Sequence, residues 1–202
     1  MGGVPGTPPA RVLVIGGGVS GAAAAEIALG MRASVTILDK SLPRLRELDA
    51  RFGGHVRTIA SSTDALEREV AAADVVIGAV LIPGAAAPKL VTEKMIASMR
   101  PGSVLIDIAI DQGGCAATSR PTTHSDPTYV VHGVTHYCVT NMPGAVPRTS
   151  AFALNAATLP YVKSLADLGL QAALAADAGL AAGLNVSAGR ITSKTVADAL
   201  GL

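Results

Sequence analysis

Apolar residues follow two alternating patterns along this chain. Short, nearly continuous apolar runs lie at 11–15, 34–38, 56–60, 74–80 and 103–110. Between them, apolar residues recur at helical spacing at 19–30, 42–52 and 64–72, and again after Thr92 up to Met99. Continuous apolar runs are typical of parallel strands buried on both faces, and helical segments separate them here. The pattern therefore predicts an α/β fold with a Rossmann-type, doubly wound parallel sheet.

The pattern changes toward the end of the chain. Pro83-Gly84 is expected to end the fourth strand, and residues 129–139 predict a sixth strand, or two short strands separated at Gly133. From Pro147 onward the sequence is rich in Ala and Leu and predicts a helical tail, in which Pro160 marks a kink or the start of a helix. We therefore expect a Rossmann domain over 1–146 and a C-terminal helical segment over 147–202.

Three glycines follow the first predicted strand at the spacing G-x-G-x-x-G: Gly16, Gly18 and Gly21. In such a motif the first glycine permits a tight turn, the second lets backbone approach a pyrophosphate, and the third lets helix and strand pack closely. The helix that follows directs its unpaired N–H groups and the positive end of its dipole toward the phosphates. Because the motif lies between a strand and a helix, it predicts a dinucleotide site.

Asp39 closes the second predicted strand, about twenty residues after the glycines. A carboxylate there can accept hydrogen bonds from both adenosine ribose hydroxyls, and its charge would repel a 2′-phosphate. The sequence therefore favours NAD as the cofactor. Lys40 and Arg44 lie close enough to leave NADP open, and a solvated loop carboxylate is the alternative role for Asp39.

Ligands of doubly wound sheets lie outside the carboxyl ends of the strands, so residues that follow each strand are candidates for chemistry. Val80 and Leu81 follow the fourth strand and can cover the nicotinamide-side ribose. Asp111 follows the fifth strand, where a carboxylate can orient ammonia or take a proton from water, or else cap a turn. Asn141 closes the sixth strand with an amide able to hold a ribose or a carboxamide.

The four histidines have no recognisable catalytic context. His55 and His124 are expected at the surface. His132 and His136 are expected to share one face of a strand, but they lack further ligands, so no metal site is predicted. Asp107, inside the fifth apolar run, is expected to be a hydrogen-bonded internal carboxylate rather than a catalyst.

The composition of the chain excludes several classes of protein. A net charge of +1 over 202 residues gives no basic field for nucleic acid. The longest apolar stretch, at 75–87, is interrupted by glycine and proline, so we expect no membrane partner. The first residues lack the features of a signal peptide, and we expect a cytoplasmic protein. Cys115 and Cys138 are expected to be reduced, packed thiols.

Five motifs together resemble the NAD-binding half of bacterial alanine dehydrogenase, and the resemblance covers nearly the whole chain. They are IGGGVSG at 15–21, VIGAVLIPG at 76–84, DIAIDQGGC at 107–115, SRPTT at 119–123 and NMP at 141–143. The stretch that includes Asp111 is the most specific of them. Related transhydrogenase subunits share the fold but look different at that stretch.

The resemblance implies reversible oxidative deamination of L-alanine to pyruvate and ammonia, with NAD taking the hydride. It also implies a role for each matched position along the cofactor. Val19 and Ser20 would contact the pyrophosphate, Asp39 the ribose, Arg44 and Ser61 the adenosine side, and Val80 and Leu81 the middle. Ile108 to Asp111 and Val139 to Met142, with Asn141 among them, would frame the nicotinamide, Arg120 would be a further contact, and Asp111 matches the catalytic aspartate.

One departure from the family limits this expectation. The family's first domain, which supplies the arginine, lysine and histidine that handle the substrate, has no counterpart here. We therefore expect a truncated cofactor half that is poorly active or inactive alone and that, as in the family, forms a homo-oligomer. Two alternatives stay open: an enzyme assembled from this chain and a separate substrate domain, and a non-catalytic NAD-binding module or transhydrogenase-like subunit working with a separate chain.

Overall fold

The apolar runs form the strands of one large sheet, and the segments of helical spacing form the helices between them. A computed structural model of the chain describes residues 1–81 and 87–202. The elements of its first unit, which extends to residue 140, are β1 (Arg11–Ile15), α1 (Val19–Gly30), β2 (Ser34–Asp39), α2 (Leu42–Phe52), β3 (Arg57–Ala60), α3 (Thr63–Ala72), β4 (Val75–Gly78), α4 (Glu93–Ala97), β5 (Val104–Asp107), β6 (Thr128–Val131) and β7 (Val134–Tyr137). The residues predicted to end β4, Pro83-Gly84, lie outside the described part of the chain.

The strands form a seven-stranded sheet in the order β3-β2-β1-β4-β5-β7-β6. All neighbouring pairs are parallel except β6 and β7. Val14 of β1 pairs with Ile37 of β2 on one side and with Ile77 of β4 on the other. This arrangement confirms the predicted Rossmann-type fold. The strand order reverses between β1 and β4, which is where a doubly wound sheet leaves a crevice for a ligand.

Alternate residues of β1 belong to cores on opposite faces of the sheet. Leu13 and Ile15 pack in one cluster with residues of α3 and α4. Val12 and Val14 pack in the other with residues of α1 and α2. On α1 the buried positions are glycine and alanine only, which lets that helix lie close to the sheet. The glycine-rich turn is thereby held directly over the end of β1.

β5 ends earlier than the sequence predicts. The apolar run 103–110 predicted one strand, whereas Ile108–Gln112 forms a short 3₁₀ turn. Asp107 stabilises this turn, because its carboxylate accepts a hydrogen bond from the N–H of Ala109, at 3.2 Å. The prediction failed because an apolar run does not distinguish a buried strand from a buried turn.

β6 and β7 form a hairpin around His132 and Gly133, whose φ angles are 51° and 77°. Two successive left-handed residues fit a tight hairpin turn, and of the two alternatives for 129–139 the pair of short strands is correct. The expectation that His132 and His136 share a strand face is wrong. His132 lies in the turn, with its Nε2 2.9 Å from Oε1 of Glu93, whereas His136 is buried in β7.

The second unit begins at residue 141. After a 3₁₀ turn at Met142–Ala145, its elements are α5 (Pro147–Ala176), α6 (Ala178–Ala182), β8 (Val186–Ser187), β9 (Arg190–Ile191) and α7 (Lys194–Leu200). The helical geometry of α5 is interrupted at Gly169, where φ is 73°, and not at Pro160, which lies inside the helix. The β8–β9 hairpin was not predicted. No helix among the described residues combines the length and hydropathy needed to cross a membrane.

Candidate functional site: a groove at the ends of β1, β2 and β4

The turn after β1 leaves no room for side chains at two of its glycines. Gly16 has a φ of 97°, and a Cβ there would lie 2.7 Å from the carbonyl oxygen of Ala79. A Cβ at Gly21 would overlap the carbonyl oxygen of Gly16. At Gly18 a Cβ would meet open space. The first and third glycines therefore serve packing within the protein, whereas the second leaves backbone exposed toward the groove.

The first turn of α1 faces the same space. Its N-cap, Gly18, supplies no side-chain hydrogen bond to the helix. The first N–H groups of a helix have no acceptor within it, so among the residues that the structure describes the amides of Val19 and Ser20 are open to a ligand. The carbonyl oxygen of Gly18 accepts from the N–H of Ala22 at 2.9 Å and so holds the turn in line with the helix. This geometry suits an anionic group such as a pyrophosphate.

Asp39 is fixed by main-chain donors on both carboxylate oxygens. Its Oδ2 accepts from the N–H of Gly17 at 2.7 Å and its Oδ1 from that of Ser41 at 2.8 Å. A carboxylate has about four lone-pair positions, so it can still accept from a diol. The N–H of Ser61 donates to the Asp39 carbonyl at 2.9 Å, and Nε of Arg44 donates to the carbonyl of Gly17 at 2.7 Å. These contacts tie the glycine turn to the ends of β2 and β3.

A cavity of about 510 Å³ lies at the carboxyl ends of the central strands. Eight of the predicted cofactor-binding residues line it: Gly16, Gly18, Val19, Ser20, Asp39, Ser61, Val80 and Leu81. Other described residues also line it, among them Pro88 and Leu90, which the sequence does not single out. They follow no strand and belong to no motif, so the sequence carries no signal for them.

A second cavity, of about 220 Å³, continues the first. The two share Ser20, Ala79, Val80 and Leu81. The smaller cavity is closed by the 3₁₀ turn after β5, through Ile108, Ala109, Asp111 and Gln112. Together they form one groove that runs from Asp39, across the glycine turn, to Asp111. An extended ligand of two unequal halves fits this shape.

Asp111 is exposed at the smaller end of the groove. Across residues 1–81 and 87–202, its carboxylate has no hydrogen-bonding or ion-pair partner. The alternative role considered for it, capping a turn, belongs instead to Asp107, the N-cap of this 3₁₀ turn. Asp111 is therefore available to accept or hold a proton in the groove.

Asp107 is an internal, hydrogen-bonded carboxylate, as the sequence predicts. It is 0% exposed and accepts from the N–H groups of Ala109, Cys115 and Ala116 and from the hydroxyl of Ser119. Burial, together with the charge of Asp107, raises the pKa of the Cys115 thiol. The two cysteines are free and buried.

Arg120 and Val139 lie away from both cavities as the described residues outline them. The guanidinium of Arg120 lies 3.9 Å from the centre of the Tyr129 ring, and the Tyr129 ring stacks on His136 with centroids 5.0 Å apart. Burial raises the pKa of the Tyr129 hydroxyl and lowers the pKa of His136. The side chain of Val139 is fully buried, so only its main chain is available to a ligand.

Asn141 and Met142 are placed in the second unit. Asn141 has a left-handed φ of 54°, and its carbonyl oxygen accepts from the N–H of Gly144 at 2.8 Å. Met142 begins the 3₁₀ turn that precedes α5. Their predicted contacts with a ligand stay predictions.

Among the residues that the structure describes, no group of three or more His, Cys, Asp and Glu side chains is placed to hold a metal ion.

Known proteins of similar sequence and structure match this chain along most of its length. Residues 1–194 match the family described as alanine dehydrogenase/PNT, C-terminal domain. The alanine dehydrogenase of Halomonas elongata is 63% identical over 200 residues, which are 99% of this chain and 54% of that protein. The alanine dehydrogenase of Mycolicibacterium smegmatis is 57% identical over 202 residues and is likewise covered to 54%.

Two solved structures are also similar to this chain in three dimensions. An L-alanine dehydrogenase superimposes with a TM-score of 0.89 at 50% identity, over 99% of this chain and 55% of its own. A transhydrogenase from Sinorhizobium meliloti superimposes with a TM-score of 0.65 at 31% identity, over 75% of this chain and 43% of its own. The chain thus spans about half the length of the curated relatives it matches.

Proposed function

Since this chain belongs to the alanine dehydrogenase/PNT C-terminal domain family, we propose that it is the NAD-binding part of an alanine dehydrogenase. The reaction is the conversion of L-alanine, NAD⁺ and water to pyruvate, ammonia and NADH. The observation that carries the proposal is the continuous groove from Asp39 to Asp111, which crosses the glycine turn at the point where the strand order reverses. NAD-dependent oxidation is the chemistry of the family, so the cofactor is NAD.

In this proposal Asp39 would hold the adenosine ribose of the dinucleotide. The amides of Val19 and Ser20, beside the open space at Gly18, would donate hydrogen bonds to the pyrophosphate. Ile108, in the wall of the smaller cavity, would contact the nicotinamide. Arg44 and Ser61 serve the adenosine side, while Val139, Asn141 and Met142 frame the nicotinamide and Arg120 is a further contact, as the resemblance implies.

Asp111 is the proposed catalytic residue. Bound NAD would supply the acceptor for the hydride that leaves the substrate carbon. Asp111 lies in the wall of the smaller cavity, exposed and without a protein partner in the described part of the chain. It can therefore take a proton from the attacking water or orient ammonia in the reverse direction. A carboxylate already engaged by protein donors, as Asp107 is, has less capacity for either task.

We further propose that the 202-residue chain binds NAD but turns over alanine poorly alone. The relatives are about twice as long as the part matched here, and in the family the remaining part supplies the arginine, lysine and histidine that hold the substrate. Residues 147–202 would pack against that part, and the assembly would be a homo-oligomer. The two-domain division at 146 is a proposal of the same kind.

A second candidate, a non-catalytic NAD-binding module like a transhydrogenase subunit, is favoured by the match to the Sinorhizobium meliloti protein. The two candidates differ at Asp111, which only the dehydrogenase needs. The test replaces the matching half of the Halomonas elongata enzyme with this chain and measures alanine-dependent NADH formation. Asp111→Asn should lower kcat by a factor of about 10²–10⁴, far more than it weakens NADH binding. An unchanged kcat would favour the binding module.

Cofactor binding itself is tested by titrating NADH and NADPH into the chain. We expect NADH to bind in the micromolar to millimolar range and NADPH more weakly. Asp39→Asn should weaken NADH binding about tenfold, because hydrogen bonds to a charged acceptor contribute about 1.5–3 kcal/mol and an amide retains only part of that. Asp49→Asn, a change at an exposed carboxylate of α2, is the matched control. Equal affinities for NADH and NADPH would refute the role given to Asp39.

A further inference from the structure

One buried carboxylate joins the turn that lines the nicotinamide end of the groove to the segment that follows this turn. Asp107 ends β5 and is 0% exposed. Its Oδ1 accepts from the N–H of Ala109 at 3.2 Å, inside the 3₁₀ turn that bears Asp111. Its Oδ2 accepts from the N–H of Cys115 at 2.8 Å and from the hydroxyl of Ser119. The two oxygens therefore hold different segments of the chain.

The surroundings of Asp107 keep its carboxylate in this one position. A Cβ at Gly114, whose φ is 78°, would lie 2.8 Å from Oδ2. A Cβ at Gly78 would lie 3.2 Å from Oδ1 and would overlap the sulfur of Cys115. Both glycines thus allow the chain to close around the carboxylate. Because it has no room to rotate away, its oxygens fix where the neighbouring N–H groups lie.

We infer that Asp107 is a positioning residue, which sets the place of Asp111 and of the wall against which the nicotinamide lies. The inference rests on the proposed function. Asp107 does not line the groove, and it acts through the turn Ile108–Gln112. It also holds Ser119, the neighbour of Arg120, so the segment that carries Arg120 is anchored to the same group.

The variant Asp107→Asn tests the hydrogen bonds of Asp107 without changing the size of its side chain, because aspartate and asparagine have the same shape. Both oxygens of Asp107 accept hydrogen bonds from donors. An amide offers one oxygen and one NH₂ group, so in either orientation its NH₂ meets an N–H or hydroxyl donor. With its oxygen on the Cys115 side, it releases Ala109 and the turn that bears Asp111. Flipped, it releases Cys115, Ala116 and Ser119.

The experiment compares NADH with ADP-ribose, which lacks the nicotinamide, in calorimetric titrations of the chain. Asp107→Asn should weaken NADH binding about tenfold, the equivalent of one lost hydrogen bond to a charge, and leave ADP-ribose within about twofold. The milder variant Ser119→Ala removes one hydrogen-bond donor from Oδ2 of Asp107. It should weaken NADH binding less than Asp107→Asn does and leave ADP-ribose binding unchanged. Asp74→Asn is the control, since that carboxylate accepts from the N–H of Arg11 at 2.8 Å, before β4 and away from the groove.

Amide hydrogen exchange gives an independent readout of the turn. Asp107→Asn should speed exchange at Ala109, or at Cys115 and Ala116, while the amides of β1 keep their protection. If the wild-type chain binds NADH more tightly than ADP-ribose and Asp107→Asn keeps the same ratio, the inference is overturned. Equal loss of both ligands in Asp107→Asn and Ser119→Ala would show a general loss of fold and overturn it too. A wild-type chain that binds neither ligand would instead refute the proposed function.

Discussion

Replacing Gly16 by alanine should destabilise the fold more than the same change at Gly54 or at Gly30. Two separate costs meet at this position. The φ of 97° is strained for any residue with a Cβ, and that Cβ would lie 2.7 Å from O, 3.0 Å from C and 3.2 Å from N of the Ala79–Val80 peptide. Those atoms are backbone, and the N–H of Ala79 is held to the carbonyl of Ile15 at 2.8 Å. The clash therefore cannot be relieved by turning a side chain.

The magnitude follows from treating the two costs separately. A strained φ costs about 1–3 kcal/mol and overpacking about 1–3 kcal/mol, so Gly16→Ala should lower the free energy of unfolding by about 4 kcal/mol. Gly54→Ala isolates the first cost, because Gly54 has a φ of 75° and open space around it. Gly30→Ala has neither cost, since Gly30 ends α1 with nothing near its Cβ position. It should stabilise the chain by up to about 1 kcal/mol.

Urea denaturation followed by far-ultraviolet circular dichroism measures all three variants, since the chain has no Trp to report by fluorescence. The expected order of stability is Gly30→Ala, then Gly54→Ala, then Gly16→Ala. If Gly54→Ala costs as much as Gly16→Ala, the collision with Ala79 contributes nothing and the packing argument is wrong. Gly16→Ala should also abolish NADH binding where it remains folded, because the turn must move.

Three other outcomes are expected. The free energy of unfolding should fall as the pH is lowered from about 7 through 6.5. Burial lowers the pKa of folded His136 below its ordinary 6.5, so the unfolded state takes up the proton at a higher pH than the folded state does. In urea titrations across that range, His136→Gln should flatten this slope and the exposed His55→Gln should not. Cys115 and Cys138 should resist Ellman's reagent until urea is added, since burial raises the pKa of both thiols; rapid reaction of the folded chain would contradict this. Ser62→Ala should cost about 1 kcal/mol in the same assay by removing the cap of α3, and an unchanged denaturation midpoint would show that the cap contributes nothing.

The parts of the fold that sequence predicts best are those set by local rules. The helices at 19–30 and 42–52 have the bounds predicted from apolar spacing. Thr92 and Ser62 each directly precede a helix and cap it with a side-chain oxygen. Glycine spacing located the groove's central turn because the G-x-G-x-x-G motif is short and lies between a predicted strand and a predicted helix.

The failures lie where contacts distant in sequence decide the backbone. The strand that was expected to run to Ile110 turns at Asp107, because that carboxylate is satisfied by residues up to Ser119. The guanidinium of Arg120 lies over the ring of Tyr129, nine residues later, a contact that the sequence does not predict, while its role as a cofactor contact stays a prediction. Pro88 and Leu90 line the groove without any pattern that marks them. Such contacts become visible only once the sheet has assembled.

The open space at Gly18 has a consequence for how this site can change over evolutionary time. The proposed contacts with the pyrophosphate are made by main-chain amides, which every residue except proline would supply at positions 19 and 20. An insertion or deletion between Gly16 and Gly21, by contrast, would rotate every one of those amides away together. Point mutations can therefore change which ribose is preferred, through the side chain of Asp39. Recognition of the phosphates depends instead on the length of the turn, which point mutations leave unchanged.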